Sequence, residues 1–262
     1  MRREIRTPIV RAVILNAAFL ITELILLKLG AFDGCYRLYL VDIPIRLITG
    51  AIALFLISRT EDLRRLMTNK IPARTFIFLI PIFTYFILQL SQILFATGTG
   101  YPDPLLYLLN CGQQIATGFF EESIRVLLMI GMLKYWIDSP RGRIRTILIT
   151  GLAFGLSHSL NFLFNESVLS CLLQVISCCL WGMFMGAIFM YSKNLTLLML
   201  IHAVWDIVVR IPGAFFVLPQ DSTPLLVLGI GGYIIDYLVL TIFAFYIAKK
   251  EFTNTSPLSV MN

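Results

Sequence analysis

Residues 167–191 read SVLSCLLQVISCCLWGMFMGAIFMY, a run without a single charged side chain. A helix needs about 20 predominantly apolar residues to cross a bilayer, so this run is long enough to be a membrane span. Similar apolar windows recur along the chain, and breakers such as Gly and Pro separate them. We interpret eight windows as spanning helices: residues 10–29, 43–58, 76–96, 105–136, 146–164, 167–191, 195–212 and 225–248.

The composition agrees with a membrane protein. The 262-residue chain is 58% hydrophobic and only 14% charged, and its mean hydropathy is +0.85. Soluble domains are roughly 45–50% apolar and about 25% charged, so a water-soluble globular enzyme and a disordered chain are both excluded. Eight spans with short loops leave no room for a separate soluble domain. The sequence therefore predicts one all-α integral-membrane domain, residues 1–262, folded as a polytopic bundle of about eight transmembrane helices.

The basic residues predict the orientation of this bundle. If the N-terminus is cytoplasmic, fifteen of the 21 Lys and Arg lie in cytoplasmic segments, and the outer loops 97–104, 165–167 and 213–224 contain none. Cytoplasmic loops carry an excess of Lys and Arg, so we expect both termini to be cytoplasmic. The net charge of +6 then reflects these loops and does not indicate nucleic-acid binding. The fifteen residues are Arg2, Arg3, Arg6, Arg11, Arg59, Arg64, Arg65, Lys70, Arg74, Arg141, Arg143, Arg145, Lys193, Lys249 and Lys250.

Ionisable side chains inside the apolar windows are the candidate functional residues. Placing a charge at the centre of a spanning helix costs at least about 2.5–3.5 kcal/mol, so such a residue usually has a partner or a function. The window 105–136 contains Glu121, Glu122 and Arg125. Either glutamate can meet Arg125 at a spacing of three or four, which leaves the other carboxylate without a partner in this segment. A carboxylate in that position is suited to act as a general base.

Both histidines of the chain also lie inside apolar windows. His158 ends the sequence Phe-Gly-Leu-Ser-His, and His202 begins His-Ala-Val-Trp-Asp, whose last residue is Asp206. Their depth is comparable with that of Glu121 and Glu122. Because His202 and Asp206 are four residues apart, the carboxylate can fix the orientation of the imidazole. We therefore expect these acids and histidines to meet in one site.

These motifs on successive helices resemble the CAAX-protease and bacteriocin-processing (CPBP, or ABI) superfamily of intramembrane proteases. The resemblance rests on Glu-Glu followed by Arg, then Phe-x-x-x-His, then His-x-x-x-Asp, and it covers about residues 105–212. Only two residues separate Glu122 from Arg125, where the usual motif has three. This shorter spacing is similar to that of the PrsW-type relatives, and it leaves the role of Arg125 open.

The resemblance implies hydrolysis of a peptide bond in a cavity open to the cytoplasmic side. In this mechanism Glu121 or Glu122, together with His158, polarises the attacking water. His202 stabilises the oxyanion by donating a hydrogen bond. An ionised Asp206 can only accept hydrogen bonds, so we expect it to orient His202 rather than to contact the oxyanion.

The same resemblance leaves the metal and the substrate open. Glu121, His158 and His202 plus a water match the ligand count of a catalytic zinc site, so Zn²⁺ is an alternative to metal-free water activation. The implied partners are bilayer lipid and a membrane-anchored or lipidated peptide, either a prenylated CAAX tail or a bacteriocin or signalling precursor. The membrane is that of the cell or of the endoplasmic reticulum. The alternatives are a non-catalytic immunity or scaffold protein, and a proton-coupled transporter that uses the acids and histidines as a relay.

Overall fold

The chain folds as a bundle of helices, as the sequence predicts. The computed structural model describes residues 3–31, 35–100, 103–136, 141–164, 168–218 and 238–252, together with 229, 231, 232 and 234. Four helical segments in this part of the chain are long and apolar enough to cross a membrane, namely Thr7–Lys28, Tyr36–Ser58, Val168–Ser192 and Leu195–Phe215. The helices are α1 Arg3–Lys28, α2 Cys35–Ser58, α3 Leu63–Thr68, α4 Thr75–Phe78, α5 Ile80–Ser91, α6 Pro104–Tyr135, α7 Gly142–Ser157, α8 Val168–Ser192, α9 Leu195–Phe215 and α10 Leu240–Phe252.

Two of the predicted spans are interrupted. The window 76–96 consists of α4, α5 and a 3₁₀ turn over Gln92–Phe95, because Pro81 has no N–H to continue the ladder across the junction. The window 146–164 is helical only to Ser157, and a 3₁₀ segment follows over His158–Phe164. Nine of the 24 residues of the last window, 225–248, including Asp236, lie outside the described residues, and α10 begins within the window at Leu240.

A short β-ribbon, which the sequence does not predict, joins two loops at one end of the bundle. Strand β1 (Gly98–Thr99) pairs antiparallel with β2 (Phe216–Val217), which directly follows α9. Beside it, Asp103 caps the first turn of α6 by accepting hydrogen bonds from the backbone N–H of Leu105 and Leu106. The Tyr36 hydroxyl also donates to this carboxylate, and these hydrogen bonds hold the pKa of Asp103 below its ordinary value.

Helix α6 is central, since it packs against α1, α2, α7 and α9. It approaches α9 tightly at Gly118, where an added Cβ would lie 2.8 Å from the carbonyl oxygen of Met199 and 3.0 Å from the backbone nitrogen of Ala203. Only a residue without a side chain fits there, so Gly118 brings the backbones of the two helices together. As a result, His202 of α9 lies directly beside the glutamates of α6.

Candidate active site

Glu122 and Arg125 form a buried ion pair on α6. Neither side chain is more than 1% exposed, and the Arg125 guanidinium binds the Glu122 carboxylate directly. Arg125 also donates from Nη1 to the Gly182 carbonyl oxygen at 3.0 Å, and its guanidinium lies over the Phe154 ring, 5.6 Å from the centroid. A buried charge needs a partner and hydrogen bonds, and Arg125 obtains them from α6 and α8. This pair therefore joins the first motif to the neighbouring helices.

His202 is oriented by Glu122, and not by Asp206 as the sequence predicts. The Nδ1 atom of His202 is 2.8 Å from Oε1 of Glu122, and because a carboxylate only accepts, we assign the Nδ1 proton to this hydrogen bond. The Oδ2 atom of Asp206 is 3.6 Å from the other ring nitrogen, Nε2, which is beyond hydrogen-bond distance. The spacing of four residues brings Asp206 near the ring, but the close packing at Gly118 gives Glu122 the shorter contact.

Glu121, the second carboxylate, turns away from Arg125 and toward a cavity. Its Oε2 is 3.6 Å from Nε2 of His202, and its Oε1 is 3.9 Å from Nη1 of Arg46 on α2. The side chain of Glu121 is 15% exposed, whereas that of Glu122 is fully buried. The adjacent glutamates thus occupy different environments, and of the two only Glu121 is accessible to water.

Arg46 is a residue near the site that the motifs do not include. Its Nε donates to Oδ2 of Asp42 at 2.7 Å, and its Nη2 is 3.6 Å from Glu23 of α1. Gln113 donates to the same Asp42 oxygen at 2.6 Å. Arg46 therefore connects α1, α2 and α6 beside Glu121. Its signal in the sequence is an acid and a base four residues apart at the start of an apolar window.

His158 lies at the point where α7 changes to the 3₁₀ segment. Its Nδ1 is 3.0 Å from the Phe154 carbonyl oxygen. A carbonyl only accepts, so the proton of the neutral ring is on Nδ1 and Nε2 carries the lone pair. The Phe154 ring contacts both imidazoles, with centroids 4.9 Å from His158 and 6.1 Å from His202. The Phe-x-x-x-His motif thus positions His158 through both the backbone and the ring of its phenylalanine.

Four of the six predicted site residues line one cavity of about 280 Å³, which we call the polar chamber. These are Glu121, His158, His202 and Asp206. Glu122 and Arg125 are not among its lining residues, although Glu122 contacts the ring of His202. Amides and hydroxyls from α6, α8 and the 3₁₀ segment complete the walls, together with Arg46, Arg210 and two tryptophans. The chamber can hold water and a polar peptide backbone beside the two histidines.

A second cavity of about 300 Å³, which we call the apolar cleft, adjoins the polar chamber. It lies between α1, α6 and α7, and most of its walls are apolar side chains such as Val13, Leu20 and Leu128. Glu121 and His158 line both cavities. A group that filled the cleft would therefore end beside the candidate catalytic residues.

The arrangement of these side chains does not fit a zinc ion as it stands. A catalytic zinc needs three protein ligands around an open position. Within the described residues, no three His, Cys, Asp or Glu side chains are grouped closely enough to hold a metal ion. The Nδ1 contacts of His158 and His202 resemble those of metal-bound histidines. Glu121, the third ligand that the sequence suggests, does not form a close group with both of them. The chemistry below is therefore derived from the side chains alone.

Comparisons with known proteins identify one family. Residues 103–208 match the family model described as Type II CAAX prenyl endopeptidase Rce1-like. The match covers less than half of the chain, and it includes all six predicted site residues. Neither the curated proteins nor the solved structures gave a match.

Proposed function

From the premise that this chain belongs to the CAAX-protease and bacteriocin-processing superfamily, we propose that it hydrolyses a peptide bond of a lipid-modified peptide in the polar chamber. The observation that carries the proposal is the convergence of Glu121, His158 and His202 on that chamber. An acid and two imidazoles around one water-accessible cavity are the groups that water activation requires.

In the proposed mechanism Glu121 is the general base. Its carboxylate takes one proton from a water while the oxygen of that water attacks the scissile carbonyl carbon. His158 Nε2 accepts the second hydrogen of the water in a hydrogen bond and so orients it. The C–N bond then breaks, and the proton held by Glu121 passes to the leaving amine.

His202 stabilises the oxyanion in this proposal. Because its Nδ1 donates to Glu122, its Nε2 can donate to an oxyanion only when the ring carries both protons. A carboxylate oxygen of each of Glu121, Glu122 and Asp206 lies within 3.6 Å of a ring nitrogen of His202. Glu122 is a positioning residue because it holds the ring, and Arg125 is one because it holds Glu122; neither lines the chamber.

The apolar cleft supports a substrate that carries a lipid. A prenyl or acyl chain in the cleft would bury apolar surface, worth roughly 0.8 kcal/mol per methylene group. The peptide attached to that chain would then enter the polar chamber at Glu121 and His158, which line both cavities. A prenylated CAAX tail and a lipidated bacteriocin or signalling precursor share this chemistry.

The test is cleavage of a synthetic prenylated peptide by the purified protein and by Glu121→Gln. Gln keeps the size of Glu121 but cannot take a proton, so we expect at least a ~10³-fold loss of rate. The matched control is Glu61→Gln, which removes a carboxylate paired with Lys134 at 2.7 Å, away from both cavities. We expect this control to retain its rate within about twofold, because neither Glu61 nor Lys134 lines the polar chamber or the apolar cleft. Equal rates for Glu121→Gln and the unmodified chain would refute the mechanism and favour a scaffold or a transporter.

A further inference from the structure

The face of α9 that carries the third motif continues for one more turn to a cation. His202, Asp206 and Arg210 follow one another at a spacing of four residues, so they share one face of the helix. All three line the polar chamber, whereas none of them lines the apolar cleft. Arg210 therefore belongs to the cavity that would hold the peptide, and not to the cavity that would hold the lipid.

Arg210 has no close partner in the part of the chain that the structure describes. Among those residues it forms no hydrogen bond and no ion pair within 4 Å, and it interacts with Asp206 only over a longer distance. Arg210 is also exposed. The other arginine of the chamber wall, Arg46, already has three carboxylates around it, the nearest of which is Asp42 at 2.7 Å. Of these two arginines, Arg210 is thus the one available to a ligand.

The length of α9 between the candidate catalytic residues and Arg210 matches a short peptide. The helix rises about 12 Å from His202 to Arg210, at about 1.5 Å per residue. An extended peptide advances about 3.3–3.6 Å per residue, so about three to four residues cover this length. A peptide with its scissile carbonyl at His202 would therefore reach Arg210 three or four residues later.

The walls of the chamber provide contacts for the residues of such a peptide. Trp205, which lies between His202 and Arg210 in the sequence, packs against Trp181 of α8 with ring centroids 4.3 Å apart. Both tryptophans line the chamber and offer apolar surface to side chains. Amide side chains also line the chamber, and an amide can both donate to and accept from a peptide backbone.

We propose that Arg210 is a specificity-determining residue that binds the C-terminal carboxylate of the substrate, three or four residues after the scissile bond. A guanidinium can donate two parallel hydrogen bonds to the two oxygens of a carboxylate. The substrate is then held at both ends, by its lipid in the cleft and by its carboxylate at Arg210. The assignment rests on the proposed function. It favours a C-terminal Cys-a-a-X tail, in which three residues follow the lipid-bearing cysteine, over a precursor that is cleaved at an internal bond.

The test compares the binding of one prenylated peptide with a free C-terminal carboxylate and of the same peptide with a C-terminal amide. Binding is measured with Glu121→Gln, which leaves the peptide intact under the proposed mechanism, and with this variant combined with Arg210→Met, Arg210→Lys or Arg37→Met. Lys keeps the charge of Arg210 but not its paired hydrogen bonds. Arg37→Met is the matched control, because Arg37 is also exposed and lines neither cavity.

We expect the acid to bind at least about tenfold more tightly than the amide when Arg210 is present, because the amide cannot form the charged pair. Arg210→Met should abolish this preference and leave the affinity for the amide within about twofold, whereas Arg210→Lys should restore part of the preference. Arg37→Met should leave the preference unchanged. Equal affinities for the acid and the amide, no binding of either peptide, or a preference that survives Arg210→Met would overturn the role of Arg210.

The two peptides are also compared as substrates of the unmodified chain, which requires no variant to fold. We expect kcat/KM to be at least about tenfold lower for the amide. Equal values would overturn the role of Arg210 and retain the proposed hydrolysis. A protein that cleaves neither peptide but binds the acid selectively would refute the proposed function and retain the role of Arg210.

Discussion

Changing one residue of the buried Glu122–Arg125 pair should destabilise the protein more than changing both. Arg125→Met removes the cation and leaves the Glu122 carboxylate, which has no exposed surface, with His202 as its remaining close partner. Removing one partner of a buried ion pair costs about 3–5 kcal/mol, because the other charge stays buried and uncompensated. Replacing both partners by neutral side chains of similar volume is often nearly neutral. We therefore expect Arg125→Met to lose about 3–5 kcal/mol, and Arg125→Met with Glu122→Gln to regain most of it.

The assay is the free energy of unfolding in mild detergent for the two single variants, the double variant and the unmodified chain. The expected coupling energy is several kcal/mol, at or above the top of the roughly 0.5–3 kcal/mol range of most contacting pairs. Arg210→Met is the matched control, since Arg210 is exposed in the same bundle, and it should change stability by at most about 0.5 kcal/mol. Additive losses in the double variant would refute the reasoning. The double variant should remain slow in peptide cleavage, because a neutral amide in place of the Glu122 carboxylate orients His202 less strongly.

Three further predictions concern the packing, the neighbouring cation and the metal. Gly118→Ala should slow cleavage at least about tenfold, because its methyl group would lie 2.8 Å from the Met199 carbonyl oxygen. The control is Gly186→Ala, since a Cβ added at Gly186 would meet its nearest atom at 3.6 Å. Equal rates for Gly118→Ala and the Gly186→Ala control would contradict this role in positioning. Arg46→Met should lower the thermal unfolding temperature more than Arg37→Met, because Arg46 compensates three nearby carboxylates whereas Arg37 is exposed. The opposite order would argue against a stabilising ion-pair network around Arg46. Treatment with a strong chelator should leave cleavage unchanged, and a loss that stoichiometric Zn²⁺ restores would show that the activated water is metal-bound.

The sequence predicts the class of fold and the identity of the site residues better than their contacts. Glu121, His158 and His202 can be selected because ionisable groups inside apolar windows are costly, and that reasoning needs no structure. The partner of His202 cannot be predicted in the same way. Asp206 is four residues away on the same helix, but Glu122 reaches the ring from another helix, and the rotation of that helix is fixed by contacts distant in sequence.

Other features depend on tertiary packing or on very short segments. The β-ribbon uses two residues on each side, too few for any alternating pattern to predict a strand. The change from α7 to a 3₁₀ segment at His158 follows from local hydrogen bonds to the Phe154 carbonyl oxygen, to which Ser157 also donates at 2.6 Å. Arg46 is not part of any motif, because its acidic partners Glu23 and Glu121 come from two other helices. The partners of Arg46 and His202 thus include residues that no spacing rule connects.

The adjacent glutamates of the first motif can nevertheless be given different roles from helix geometry alone. Consecutive residues on an α-helix point about 100° apart, so two neighbouring side chains cannot share one environment. Arg125 is three residues after Glu122, and it binds this glutamate in the buried interior, which turns Glu121 toward the polar chamber. A motif with two residues between the second Glu and Arg thus leaves the first carboxylate available for chemistry and the second for positioning. Loss of Glu121 should then remove activity from a stable protein, whereas loss of Glu122 should first destabilise the fold.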